Sequence, residues 1–341
     1  MATTTTRRIA LAARPVGEPR ASDFRTEQTE LPALRDGDVL LRIVYLSLDP
    51  YMRGRMSTAR SYAQPMEIGD TMVGGTVAQV VESRARSLAV GDYVLSYSGW
   101  QTHAVAPARL LRKLDPRLAP LSTALGVLGM PGFTAYVGLK EIGKPLAGET
   151  LVVAAASGPV GATVGQLAKI RHARIVGIAG GAEKCRYLVD ELNFDEAIDH
   201  RAADFAAQLE DACPRGIDVY FENVGGAVWS AVLPLLNDFA RIPVCGLVAQ
   251  YNATDVPAGP DRMPGLMREI LSRHLTLRGF IQSDFAHLQR DFEREMSVWL
   301  QAGRIRYRED IVDGLDHAPE AFIGLLRGKN FGKLIVRVAD E

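Results

Sequence analysis

A chain of 341 residues is longer than one ordinary core needs and suits two domains of usual size. Its 39 Lys and Arg against 40 Asp and Glu leave a net charge of -1, without the basic excess of a nucleic-acid protein. Hydrophobic residues at 47% supply enough apolar surface for globular packing and argue against general disorder. In chain order, residues 8–110 read as a compact, barrel-like β domain, with short strands expected at 39–45, 74–81 and 90–95 between Gly and Asp turns. From about Ser122 the pattern changes. Residues 121–139 are expected to be helical in two pieces divided near Pro131-Gly132, and 151–155 is a short apolar run of the kind buried in a parallel sheet. A Gly-rich turn and a helix to about His172 follow. Further strands are expected at 174–179, 197–199, 217–222, 241–245 and 275–280, with helices at 182–192, 202–212 and 227–236 between them. This alternation predicts a doubly wound α/β domain. Asp284 is expected to cap a helix over 285–302 with Phe285, Leu288, Phe292, Met296 and Trp299 on its core face and Gly303 as its stop. The tail ends in a strand-like piece, 333–338, expected to return to the first domain.

The scattered cysteines Cys185, Cys213 and Cys245 form no short pair, so neither a disulfide framework nor a thiolate zinc site is expected. A reducing compartment, the cytoplasm, is the expected location. The histidines form no HExxH or other close pair, and no metal is expected. Residues 1–8 are threonine-rich and lack the apolar stretch of a secretory signal. Uncharged runs at 118–139 and 150–168 have membrane-spanning length, but Pro120, Pro131 and Ser157-Gly158-Pro159 interrupt them. Both read as buried segments, and no membrane or nucleic-acid partner is expected.

The sharpest local signal is Ala156-Ser157-Gly158-Pro159-Val160-Gly161, between an expected strand and helix. It matches GxGxxG except that Ala156 replaces the first glycine. Gly158 would let the backbone approach a pyrophosphate, Gly161 would let the helix pack closely on the sheet, and Pro159 suits the first turn of a helix. The helix N-terminus would then offer free N–H groups and a positive dipole end to phosphate. An NAD site would place Asp or Glu at the tip of the second strand to meet the ribose hydroxyls. That tip reads Gly177-Ile178-Ala179-Gly180-Gly181, with Lys184 and Arg186 just beyond, which points to the 2′-phosphate of NADP; a solvated helix face is the alternative for the two cations.

Several longer stretches carry a resemblance. They are residues 48–56 (LDPYMRGRM), 129–136 (GMPGFTAY), 155–169, 220–226 (YFENVGG), 245–252 and 330–333 (NFGK), in family order and spanning nearly the whole chain. With them the chain resembles the zinc-independent medium-chain dehydrogenase/reductases. The branch it is similar to holds the leukotriene B4 12-hydroxydehydrogenases, prostaglandin reductases, plant alkenal double-bond reductases and bacterial curcumin reductase. The resemblance implies a GroES-like β-barrel domain formed by residues 1–121 and 303–341, and a Rossmann domain with a doubly wound parallel sheet over 122–302. It implies a homodimer, NADPH as cofactor, and reduction of the C=C bond of an enal or enone. Carried over by position, Gly158, Pro159, Val160 and Gly161 would hold the pyrophosphate and Lys184 the 2′-phosphate. Asn223, Cys245, Gly246, Tyr251 and Asn330 would contact the cofactor, with Phe280 and Ile281 beside the nicotinamide. His200 stands where the family often has a tyrosine near the 2′-phosphate.

For the chemistry, Tyr251 is the first candidate to donate a hydrogen bond to the substrate carbonyl, with Tyr51 second; a phenol stays protonated at pH 7 and can donate while neutral. The alternative for both is that they only shape the pocket. Arg53 and Arg55 are expected in structural ion pairs. Residues 51–68 and 251–266, irregular and rich in Pro, Gly and Met, are expected as pocket walls. A zinc alcohol dehydrogenase would need ligands that the N-terminal domain lacks, since it has no cysteine and one histidine, His103. A quinone reductase and an NADPH-binding sensor without turnover remain as rivals.

Overall fold

Short β-branched and aromatic runs punctuated by Gly and Asp become strands in the first part of the chain. A computed structural model describes residues 4–255 and 259–341. The first part supplies β1 (Thr5–Leu11), β2 (Phe24–Glu30), β3 (Asp38–Ser47), the short helix α1 (Tyr51–Arg55), β4 (Thr76–Ser83), β5 (Tyr93–Ser96), β6 (His103–Pro107) and β7 (Arg112–Leu114). The middle supplies α2 (Met130–Val137), β8 (Thr150–Ala154), α3 (Pro159–Ile170), β9 (Arg174–Ala179), α4 (Ala182–Asp190), β10 (Glu196–Asp199), α5 (Phe205–Ala212), β11 (Ile217–Phe221) and α6 (Gly226–Val232). It continues with β12 (Leu236–Val244), α7 (Met263–Ser272), β13 (Thr276–Gly279) and α8 (Gln289–Gln301). The tail adds β14 (Glu309–Asp313), α9 (Ala318–Leu326) and β15 (Lys333–Arg337). These elements form two units, Met1–Gly126 with Glu309–Glu341, and Val127–Arg308.

The first unit is the GroES-like β domain, built around β3. This strand pairs antiparallel with β4, β6 and β15, in a sheet ordered β14-β15-β3-β4-β5-β7. The last strand of the chain thus completes the first unit. Val39, Leu41 and Ile43 point to one core with Ala78, Val80 and Val94, the alternation expected of a strand with two unlike faces. On a second core Trp100 stacks on Phe24 at 5.7 Å and meets Phe322 of α9 edge-on.

The second unit is Rossmann-like. Its sheet is parallel throughout, in the order β10-β9-β8-β11-β12-β13. Counted from β8, that is the 3-2-1-4-5-6 order of the doubly wound fold, and the order reverses between β8 and β11. Ligands of such sheets bind beyond the carboxyl ends of the strands at that reversal. Every residue of β8 is buried, as a central parallel strand covered on both faces requires.

Two expected helices differ in the structure. The break in residues 121–139 falls at the glycines before Met130, not at Pro131: a 3-10 segment, Leu121–Leu125, precedes α2, which continues into a π-helical turn, Gly138–Gly143. Pro131 lies in the first turn of α2, where its missing N–H had no partner to lose. The expected helix at 285–302 begins only at Gln289, because Phe285 takes φ -113°. Asp284 instead accepts the Ile281 amide at 3.2 Å, capping the start of the 3-10 segment, Gln282–Leu288, in whose first turn it lies. Phe292 and Met296 are fully buried, and Gly303 ends the helix with φ 67°. Among the described residues, no helix is long and apolar enough to cross a membrane.

Candidate active site

At the carboxyl end of β8 the chain turns sharply. Ala155 has a left-handed φ of 51°, a conformation that costs an alanine roughly 1 kcal/mol. Ala156 then donates its amide to Ile178 O at 2.9 Å, still bonded to β9. The left-handed residue is therefore Ala155, and Ala156, in the same turn but outside the left-handed region, stands at the place of the first motif glycine. Gly158 caps α3 and Pro159 opens it, with the Ala162 amide bonded to Gly158 O at 2.9 Å. A methyl on Gly161 would lie 2.5 Å from Ala155 O and 2.7 Å from Ala156 Cα, so only glycine lets α3 sit this low over the strand. Pro159, Val160 and the first amides of α3 then stand at the carboxyl end of β8, where a helix N-terminus offers its unpaired N–H groups to an anion.

The end of β11 lies beside it. Asn223 reaches back and donates its amide to Ala154 O at 2.8 Å, bridging the two strands at the reversal point. Glu222, 2% exposed, accepts on one carboxylate oxygen from Tyr220 Oη at 3.0 Å, Val224 N at 2.6 Å and Gly225 N at 2.8 Å. Burial raises its carboxyl above the ordinary range, and the backbone amides oppose that rise. Its main-chain carbonyl accepts the amides of Cys245 and Gly246, and Asn223 O accepts that of Val248. The loop 245–251 is thereby strapped to the turn after β11. A methyl on Gly246 would lie 3.3 Å from Tyr251 Oη and 3.5 Å from Asn223 O, so Asn223, Gly246 and Tyr251 form one cluster. Burial pushes the Cys245 thiol up to about 12, which keeps it protonated. Phe280 packs edge-on against Phe221 at 6.2 Å, with Ile281 following it, both at the exit of β13.

At the tip of β9 a second cluster forms. A methyl on Gly180 would lie 2.9 Å from His200 Nε2 and 3.1 Å from Arg201 Nε, so both side chains close over the tip. Asp199 fixes them by accepting the amides of Gly181 and Arg201, both at 2.9 Å. Partial burial lowers the His200 pKa, and the Arg201 and Lys184 charges lower it further while Asp199 opposes them. Arg186 is exposed on α4. Arg201 is a candidate that sequence reasoning missed. Its one signal was a second basic residue directly after the expected strand 197–199.

Tyr51 and Asn330 belong to the first unit. Tyr51 opens α1; burial raises its hydroxyl well above the ordinary phenol range, helped by the nearby Asp49 charge. Asp49 is held by Lys333 Nζ at 2.8 Å and by the Ser47 hydroxyl, and Lys333 also donates to Leu48 O at 2.8 Å. Asn330 donates to Gly332 O at 2.8 Å in the turn before β15. Arg53 donates to Gly17 O at 2.8 Å. Of the expected wall 251–266, residues 256–258 lie outside the described residues.

Two family descriptions match, an N-terminal domain of oxidoreductase over residues 7–114 and a zinc-binding dehydrogenase over 159–301. The chain is 57% identical to NADPH-dependent curcumin reductase of Escherichia coli (strain K12), across 98% of this chain and 97% of that protein. It is a zinc-independent medium-chain dehydrogenase/reductase. Prostaglandin reductase 1 of Bos taurus is 40% identical over 94% of this chain and 96% of its own. The crystal structure of CurA in complex with NADPH from Vibrio vulnificus superposes with a TM-score of 0.96 at 55% identity, covering 98% and 100% of the two chains. Although one family description names zinc, no group of three or more His, Cys, Asp and Glu is placed to hold a metal among the described residues.

Proposed function

We propose that this medium-chain reductase uses NADPH to saturate the C=C bond of α,β-unsaturated aldehydes and ketones. The observation that carries the reading is the match along the whole chain, at 57% identity, to a protein named for NADPH-dependent curcumin reduction. The site fits the cofactor on its own chemistry. The glycine-opened turn of Gly158–Gly161 suits a pyrophosphate, and the tip of β9 offers the cations Lys184 and Arg201 beside His200, with the Asp199 carboxylate engaged by the Gly181 and Arg201 amides. Lys184, His200 and Arg201 would hold that phosphate. Cys245, Gly246, Phe280, Ile281, Asn223 and Asn330 would bound the rest of the molecule.

When bound, NADPH supplies a hydride from C4 of its ring to the substrate β-carbon. Negative charge then grows on the carbonyl oxygen. Tyr251, clustered with Gly246 and Asn223, is our first donor to that oxygen, and Tyr51 the second. Tyr51, with its raised hydroxyl, stays neutral across the working pH range and can donate but not ionise. The α-carbon takes one proton, from a side chain, a ribose hydroxyl relay or water, so one hydride and one proton add across the bond.

We further propose a homodimer in the cytoplasm. Support for the dimer comes from the second unit: β13 is an outer strand of the parallel sheet, and Met263, Met267 and Leu271 of α7 are exposed at helical spacing. The unpaired thiols Cys185, Cys213 and Cys245 suit a reducing compartment. Light scattering should give twice the chain mass.

The reaction is tested by following NADPH oxidation at 340 nm with a medium-chain 2-alkenal, an aryl enone, a quinone and a saturated aldehyde, with products identified by mass and NMR. A saturated product with its carbonyl intact is expected. Turnover of the quinone alone would replace this reading with quinone reduction, and tight NADPH binding without any oxidation would replace it with a sensor.

A further inference from the structure

We propose that Glu222 is a positioning residue, setting the heights of Asn223 and Tyr251 over the carboxyl ends of β8 and β11. The inference rests on the reading that those two side chains meet the cofactor and substrate. Glu222 touches neither; it acts on the two backbone segments that carry them. Its side chain gathers the amides of Val224 and Gly225 with the Tyr220 hydroxyl on a single oxygen. Its carbonyl gathers the amides of Cys245 and Gly246 at 2.9 and 3.2 Å. One residue therefore ties the turn after β11 to the loop after β12.

The turn needs such a tie. Gly225 and Gly226 both hold positive φ, 75° and 58°, and glycines have the most freedom to leave such a conformation. Without the carboxylate, two buried amides would lose their acceptor. The next links follow from the same turn: Asn223 O accepts Val248 N at 3.2 Å, and Val224 O accepts Ala249 N at 3.0 Å. Displacing Val224 and Gly225 thus moves the short 3-10 segment, Val248–Gln250, that leads into Tyr251. A neutral strut would suffice to fill the space. Convergence of three donors on one oxygen instead favours a carboxylate, the stronger acceptor, at a place where burial disfavours charge.

The test uses the full-length enzyme with Glu222→Gln, Tyr220→Phe, Tyr251→Phe and the Glu222→Gln/Tyr251→Phe pair. Melting temperature, NADPH dissociation constant, kcat and the isotope effect with C4-deuterated NADPH are measured for each. For Glu222→Gln, kcat should fall roughly tenfold with a larger isotope effect, while NADPH affinity moves less than roughly threefold, as misplacement of reacting groups predicts. Tyr220→Phe should give a weaker version of the same pattern. The double variant should lose clearly less than the product of the two single losses, because part of the Glu222 effect runs through Tyr251 and only the part through Asn223 remains. Fully additive losses, or a lower melting temperature with kcat and isotope effect unchanged, would overturn the proposal and leave Glu222 a structural strut. Should Glu222→Gln fail to fold, the Tyr220→Phe variant, alone and paired with Tyr251→Phe, decides by the same criteria. A wild type inactive on every enone would remove the underlying reading, whereas an active wild type with additive losses removes this inference alone.

Discussion

The turns after β8 and β11 are neighbours on the same sheet, yet they are held in place by opposite means. The first is held by backbone sterics: Gly161 brings α3 against Ala155 and Ala156, and no side chain takes part. The second is held by side chains, with Glu222 bonding the turn and Asn223 bonding Ala154 O. A turn built on backbone cannot accept volume and is indifferent to charge. A turn built on a buried carboxylate keeps its shape only while that one acceptor is present.

The sharpest way to break the comparison is Gly161→Ala. The added methyl would sit 2.5 Å from a carbonyl oxygen, so α3 must rise from the sheet. We expect a loss of about 1–3 kcal/mol in stability, the usual cost of overpacking. NADPH affinity should fall on the order of a hundredfold, equivalent to about 2.7 kcal/mol. Thermal melts and a fluorescence titration check both numbers. Near-wild-type values would mean that the turn gives way easily and that its packing does not set the phosphate site.

Tyr251→Phe probes the second turn while keeping the bonds that Glu222 and Asn223 make to it. Loss of a donor to the growing oxyanion should lower kcat on the order of a hundredfold with the melting temperature unchanged. Steady-state rates on an aryl enone, beside the same rates for Tyr51→Phe, show which hydroxyl carries the larger share. An unchanged kcat in Tyr251→Phe would leave Tyr251 a wall residue and move the role to Tyr51.

On the proposed reading the tip of β9 would also act through side chains, but through the charges of Lys184 and Arg201. Lys184→Ala and Arg201→Ala should each weaken NADPH roughly tenfold, as loss of one charged hydrogen bond predicts, while NADH binding barely moves. Parallel titrations with both cofactors give the ratio directly. Equal losses for NADPH and NADH would refute a 2′-phosphate role for whichever residue showed them.

These differences also explain what the sequence could reveal. The turn after β8 was legible because its requirement is local: a strand, glycines at fixed spacing and a helix start, with Pro159 where a helix tolerates it. The reversed strand order followed from the alternation of elements, since parallel neighbours and crossovers leave few arrangements. The second turn had no such spacing. Asn223 and Tyr251 were named only through resemblance, because the bond from Asn223 to Ala154 O joins residues 69 positions apart. Arg201 escaped notice for the same reason; its neighbour Gly180 is close only when β9 and β10 pair. The helix at 285–302 was misjudged at its start because Asp284 looks like a cap in either frame, and only the bond to the Ile281 amide shows which turn it closes.

The smallest effect is expected at His200, and it separates the exposed cluster from the two turns by its dependence on pH. In the free protein, partial burial and the charges of Arg201 and Lys184 lower the His200 pKa, against the opposing pull of Asp199, so the ring is neutral at pH 7. A phosphate placed beside it favours the charged ring and must raise that pKa. With the 2′-phosphate beside His200 as proposed, NADPH binding would take up a proton, and the contribution of His200 would grow as pH falls through the raised value of the complex. It stops growing below the lowered value of the free protein, where the ring is charged in both states. The phosphate itself loses charge near pH 6, so wild type must be compared with His200→Gln at each pH rather than with itself. We expect similar NADPH affinities for the two at pH 8 and a several-fold advantage for wild type near pH 6, with no such divergence for NADH, which lacks the 2′-phosphate. Calorimetry in buffers of different ionisation enthalpy should show the proton taken up by wild type and not by His200→Gln. Parallel pH profiles for the two proteins would mean that the ring only packs against Gly180, and that Lys184 and Arg201 supply the whole charge of the cluster.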